Sequence, residues 1–94
     1  EDTVACAILP RSTGQLCIGS SRRPRRAGEV DSELIERIMV RSERFVPGIS
    51  GLPVVRTWSG TRAATGDDRP LIGALPGIEG VWIAAGFEGL GITQ

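Results

Sequence analysis

Arg56, Trp58, Gly60 and Arg62 recur at every second position of "PVVRTWSGTRAAT", residues 53–65. On a strand that spacing places all four on one face with Val54, while Val55, Thr57, Ser59, Thr61 and Ala63 take the other. Two guanidiniums beside an indole, with bare backbone between them, suit a carboxylate ligand. Arg presents a fixed fork of donors, and Gly60 lets a flat ligand approach the main chain. The same residues also describe a solvated strand face on which Trp58 covers a small core.

A second candidate closes the chain. "VWIAAGFEGLGITQ" runs from a short apolar strand into Gly86, Gly89 and Gly91. Turns between a strand and a helix aim backbone N–H groups at phosphates and cofactors. Here the spacing G-x-x-G-x-G is the dinucleotide fingerprint reversed, so it does not match that motif. A plain turn accounts for it as well.

Two further clusters carry weaker signals. "SRRPRR", residues 21–26, has the composition of a nucleic-acid patch. Zero net charge and few aromatics oppose that reading, because single-strand binders need stacking platforms, and a solvated loop is expected. Asp67 and Asp68 could do paired acid/base work, but in "TGDDRP" they read as turn residues.

The absences narrow the chemistry further. The chain has no His, Lys or Tyr, and all 11 basic residues are Arg. That removes the Ser-His-Asp triad, the usual zinc sites, Schiff-base lysines and P-loop lysines. No residue of this chain is therefore expected to be catalytic, and no metal site is expected. Cys6 and Cys17 sit in adjacent strand-like runs. Pairing around a loop at residues 11–14 would place Cys6 opposite Gly19 and Cys17 opposite Ile8. Two reduced thiols are expected, which fits a cytoplasmic protein.

With 94 residues, 40% of them hydrophobic, the chain suits one modest core. No apolar run approaches the roughly 20 residues of a membrane span, and Glu1 and Asp2 stand where a signal peptide would be basic. A chain that opens on Glu-Asp and stops where a helix should begin is expected to be an excised piece.

The elements that must position these residues follow from pattern. "TVACAIL" and "LCIGSS" read as a hairpin around "PRSTGQ", where Gly14 supplies a positive φ. Asp31 is the expected N-cap of "SELIERIMVRSERF", whose Leu34, Ile35, Ile38 and Phe45 form an apolar stripe. Val46-Pro47-Gly48 ends that helix. Residues 53–65 form the expected third strand. "LIGALPGIEG" adds a short strand and a Pro-Gly turn, and "VWIAAG" a short strand of the fully buried kind. The expected class is α+β, in the order β-β-α-β-β-β.

From Trp58 onward these signals align into something more specific. "WSGTRAATGDDRPLIGALPGIEGVWIAAGFEGLGIT" resembles the C-terminal segment of the FAD-dependent D-amino-acid oxidase superfamily, nearest its glycine oxidase, sarcosine oxidase and D-amino-acid dehydrogenase branch. That branch shows W-x-G-x-R, then T-x-D-x-x-P-x-I-G, then a strand ending in A-G and a glycine-rich turn. Trp58, Gly60, Arg62, Thr65, Asp67, Pro70, Ile72, Gly73, Ala85, Gly86 and Gly91 fall on the pattern. Upstream, "LPRSTGQLCIGS" is similar to the family's RPxxxGxxxxG hairpin, and "RFVPGI" to the end of its substrate-domain helix.

The resemblance implies a fragment of a two-domain FAD-dependent oxidoreductase. Residues 1–52 would end the substrate domain, and residues 53–94 would return to the FAD domain. It implies hydride transfer from a small amino acid or secondary amine to flavin, with Arg62 binding the substrate carboxylate and Trp58 and Arg56 beside it. Gly60, Gly86, Phe87, Gly89, Gly91 and Ile92 would face the cofactor. Phe87 departs from the His common at its position, and neither cysteine matches a covalent FAD site. A true G-x-G-x-x-G and the ribose-binding acid would lie in a missing N-terminal half, so the chain alone is expected to bind FAD poorly and to be inactive. Exposed cofactor-facing surface leaves homo-oligomerisation open. Two rival readings remain: a non-catalytic subunit or interaction module, and a small Arg-rich nucleic-acid binder using Arg22 to Arg26.

Overall fold

A computed structural model describes residues 2–24 and 28–91 of the chain. The chain divides into two compact units, Glu1–Ser59 and Gly60–Gln94.

The first unit begins with an antiparallel hairpin, β1 (Thr3–Pro10) and β2 (Leu16–Arg22). Gly14, at φ 85°, makes the expected positive-φ turn. The loop is one residue longer than the sequence suggested, because Arg11 N–H donates to the Gln15 carbonyl at 2.8 Å and draws Gln15 into the turn. Pro10 therefore pairs with Leu16, Leu9 with Cys17 and Ala7 with Gly19. The expected pairs, Cys6 with Gly19 and Cys17 with Ile8, do not form. Between Val4 and Ala7 the register shifts, so that Val4 pairs with Ser21 and Thr3 with Arg22. An extra residue in β1 absorbs the slip, as a bulge does. Both cysteines are free thiols.

Helix α1 (Ser32–Glu43) starts where expected. The Asp31 carboxylate accepts from Glu33 N–H at 2.9 Å and Leu34 N–H at 3.4 Å, meeting two donors that the first turn leaves orphaned. Arg23 ties this cap to the hairpin. Its guanidinium reaches Asp2 at 2.8 Å and Asp31 at 2.6 Å. This member of the basic stretch is thus held by acids, while Arg25 and Arg26 lie outside the described residues.

Leu34, Ile38 and Ser42, one turn apart, form the buried stripe of α1, which packs on β1 and β2. Ser42 is tolerated there because its hydroxyl donates to the Ile38 carbonyl at 2.8 Å and lies 3.6 Å from Cys6 Sγ. Ile35 is half-buried. Phe45, expected on the stripe, is 66% exposed because it lies beyond the last helical turn.

Ile49 takes the place expected of Phe45. Gly48, at φ 90°, turns the chain into a short 3-10 turn, Ile49–Gly51, that seats Ile49 in the core. The Glu43 carboxylate holds this return, accepting from Gly48 N–H at 2.6 Å, Ser50 N–H at 3.0 Å and Ser50 Oγ at 2.7 Å. Burial of Leu34, Ile38 and Ile49 contributes about 1.5–3 kcal/mol each.

The expected third strand does not form. Residues 53–64 pair with no strand among the described residues, so the order is β-β-α-β-β. Pro53 lacks a donor, and the described strands pair only within their own two hairpins.

The second unit is built on a hairpin of β3 (Leu71–Ala74) and β4 (Trp82–Ala85), paired Leu71 with Ala85 through Ala74 with Trp82. Gly77 and Gly80, at φ 81° and 79°, shape the Pro-Gly turn between them. Strand β4 is not buried as its apolar run suggested. Trp82 is 75% exposed and Ile72 73%, because no described layer covers this two-stranded sheet.

Candidate functional site

The expected site residues divide between the two units. Arg56 and Trp58 lie exposed in the first, Gly60 and Arg62 in the second. Without a ladder over residues 53–64, no sheet face holds the four in alternation.

Arg62 instead belongs with the glycine-rich loop. Ala63 and Thr65, which follow it closely in sequence, also lie against that loop. The Ala63 carbonyl accepts from Glu88 N–H at 2.9 Å. Gly86 has φ 80°, in the left-handed region, and a methyl group there would stand 2.5 Å from Thr65 Cγ2. A methyl group at Gly89 would stand 2.6 Å from Arg62 Nη1 and 3.3 Å from Cζ. The bare faces of two loop glycines are thus occupied by this chain's own Thr65 and Arg62. Gly60 has open space around it, Gly91 lies against Phe87 Cβ, and Ile92 is outside the described residues.

The turn before β3 fixes Thr65. Its hydroxyl donates to the Arg69 carbonyl at 2.6 Å and sits 3.1 Å from Asp67 Oδ1, which also accepts from Arg69 N–H at 3.2 Å. Asp67 therefore serves as a turn residue, and Asp68 takes the left-handed φ of 58° that Asp tolerates. Reasoning from sequence missed the seating of residues 62–65 on the loop. A cluster of glycines facing a segment with one long side chain is the signal that points to it.

Arg62 is exposed, and among the described residues it has no ion-pair or hydrogen-bond partner. A fork of donors with its backbone tied by the Ala63–Glu88 bond is chemically ready for an anion with two oxygens. Beside the loop, Thr65, Pro70, Gly86, Phe87 and Leu90 line a cavity of about 130 Å3. Among the described residues no cluster of His, Cys, Asp or Glu could hold a metal ion, and no helix is long and apolar enough to cross a membrane.

The sequence profile of the FAD dependent oxidoreductase family matches residues 1–94. The chain belongs to that family. Among curated members, the glycine oxidase of Bacillus licheniformis is 35% identical over 89 residues, covering 93% of this chain and 24% of that protein. The glycine oxidase of Bacillus subtilis is 34% identical over 88 residues, with the same coverage. The hydrogen cyanide synthase subunit HcnC of Pseudomonas protegens is 27% identical over 92 residues, covering 96% of this chain and 22% of that subunit. The chain therefore spans about a quarter of the length of the curated relatives it matches. No solved structure matches it.

An FAD-dependent family raises the question of how FAD fits these residues. The cavity of about 130 Å3 is below the roughly 300 Å3 at which ligand pockets begin. The chain also contains no G-x-G-x-x-G. At the loop the described residues present an open surface, the exposed rim at Gly89, Leu90 and Gly91, and not an enclosure.

Proposed function

We propose that this chain forms the substrate-facing part of an FAD-dependent oxidoreductase that oxidises the C–N bond of a small amino acid or secondary amine. Arg62 binds the substrate carboxylate, and the glycine loop, residues 86–91, is the wall next to the flavin. The observation that carries this reading is Arg62 seated on Gly89 without an acidic partner among the described residues. The names of the two Bacillus relatives support the choice of substrate class.

FAD supplies the redox chemistry when bound, and this chain binds and orients the substrate. No His, Lys or Tyr is needed for that task. The phosphate and ribose contacts of FAD belong to protein outside this chain. The two free thiols suit a cytoplasmic setting.

Arg62→Ala in the complete polypeptide tests the assignment. A lost charge-assisted contact is worth about 1.5–3 kcal/mol, so KM for the amino acid should rise about ten- to a hundredfold. FAD content should stay near normal. An unchanged KM contradicts the role given to Arg62.

A further inference from the structure

Gly86 and Gly89 differ in a way that separates their roles. Gly86 needs its missing side chain for its backbone, at φ 80°. The φ of Gly89 lies outside the left-handed region, so its backbone would accept an alanine. What glycine supplies at position 89 is space, and the group filling that space is the Arg62 guanidinium. Arg62 Nη1, Cζ and Nε lie 2.6, 3.3 and 3.8 Å from where a methyl group would stand.

We propose that Gly89 is a positioning residue for Arg62: its bare Cα is the seat that sets where the guanidinium presents its donors to a substrate carboxylate. This rests on the reading of Arg62 as the carboxylate receptor. The main chain cannot follow a displaced guanidinium, because Glu88 N–H holds the Ala63 carbonyl at 2.9 Å, one residue from each partner. The side chain must swing instead. Heavy atoms prefer separations of about 3.5–4.0 Å, so a methyl group at position 89 would push Nη1 by about 1 Å. A misplacement of that size can cost about a hundredfold in a site that depends on orientation. The guanidinium is the free end of a long side chain, so the swing has little effect on stability.

The test uses acetate as the probe, titrated calorimetrically into the complete polypeptide, with melting temperature measured alongside. Gly89→Ala should weaken acetate about tenfold or more and leave the melting temperature close to that of the parent. Arg62→Ala should weaken acetate by itself, and adding Gly89→Ala to it should have no further effect, because the two changes act through one group. If Arg62→Ala leaves acetate binding intact, the receptor reading fails and the inference falls with it. If Arg62→Ala weakens acetate but Gly89→Ala does not, only the role of Gly89 is overturned. A Gly89→Ala effect that persists without the guanidinium, or a large fall in melting temperature, also overturns it.

Discussion

At position 86 the missing side chain is demanded twice, by the backbone and by a neighbour. Gly86 sits at φ 80°, where an L-residue costs about 1–2 kcal/mol, and Thr65 Cγ2 fills the place of its Cβ. Unlike Arg62, Thr65 has a short side chain fixed by its hydroxyl on the Arg69 carbonyl. Gly86→Ala should therefore lower the melting temperature of the complete protein clearly, by more than the backbone penalty alone. Thr65→Ser in the same protein should recover part of the loss by removing Cγ2. A Gly86→Ala protein as stable as its parent would show that Thr65 does not occupy this space. Neither contact was legible beforehand: glycine spacing announced a close approach but not which group approaches. The family resemblance turned these glycines toward a cofactor, and the structure adds that Thr65 and Arg62 lie against Gly86 and Gly89.

Among the elements, the hairpin–helix assembly is held by carboxylates at both ends of α1. Hydrogen bonds from Arg23 hold Asp2 and Asp31 below the ordinary aspartate range, and for Asp31 the Glu33 and Leu34 N–H groups add to this. Glu43 is held below the usual glutamate range by Gly48 N–H, then by the Ser50 N–H and hydroxyl. A carboxyl whose folded pKa lies below its unfolded one stabilises the fold above the unfolded value. That contribution is lost as pH falls through the folded value. The thermal midpoint of the 94-residue chain should thus be level from neutral pH to about pH 5 and fall on further acidification. Arg23→Ala should lower the neutral midpoint and make the acid fall shallower, as followed by circular dichroism. A midpoint that holds or rises below about pH 4 would contradict this role of the carboxylates.

These local signals were the legible part of the fold. Asp31, Gly14, Pro47 and Gly48 act through bonds within a few residues, so sequence alone located the hairpin, the helix and its ends. The stretch at residues 53–64 was not legible, because alternation describes a strand only where another strand offers an edge. Ile49 was missed for a related reason: it enters the core through a turn that Glu43 organises, not through a periodic stripe.

Across the molecule as a whole, the buried apolar side chains among the described residues are Leu34, Ile38 and Ile49, all in the first unit. The second unit carries the loop and Arg62 on a hairpin whose large apolar side chains, Leu71, Ile72 and Trp82, are exposed. A lone two-stranded hairpin is marginal in water. Amide exchange in the 94-residue chain should therefore be slower over α1 than over β3 and β4, and equal protection would contradict the division. The same chain titrated with FAD should show no saturable binding below about 1 mM, since the cavity beside its loop, about 130 Å3, is too small to enclose a flavin. Tight binding would show that the described wall suffices.

In the proposed function, Arg62, a substrate carboxylate and an FAD-dependent reaction at a C–N bond would come together in a single step, the reduction of the flavin. Following that step anaerobically in the complete protein tests all three at once, with glycine compared against methylamine, which lacks only the carboxylate. The flavin should be bleached by glycine and at least about tenfold more slowly by methylamine at equal concentration, with Arg62→Ala erasing most of the difference. Equal bleaching by the two amines, or none by any small amino acid or secondary amine, would contradict it.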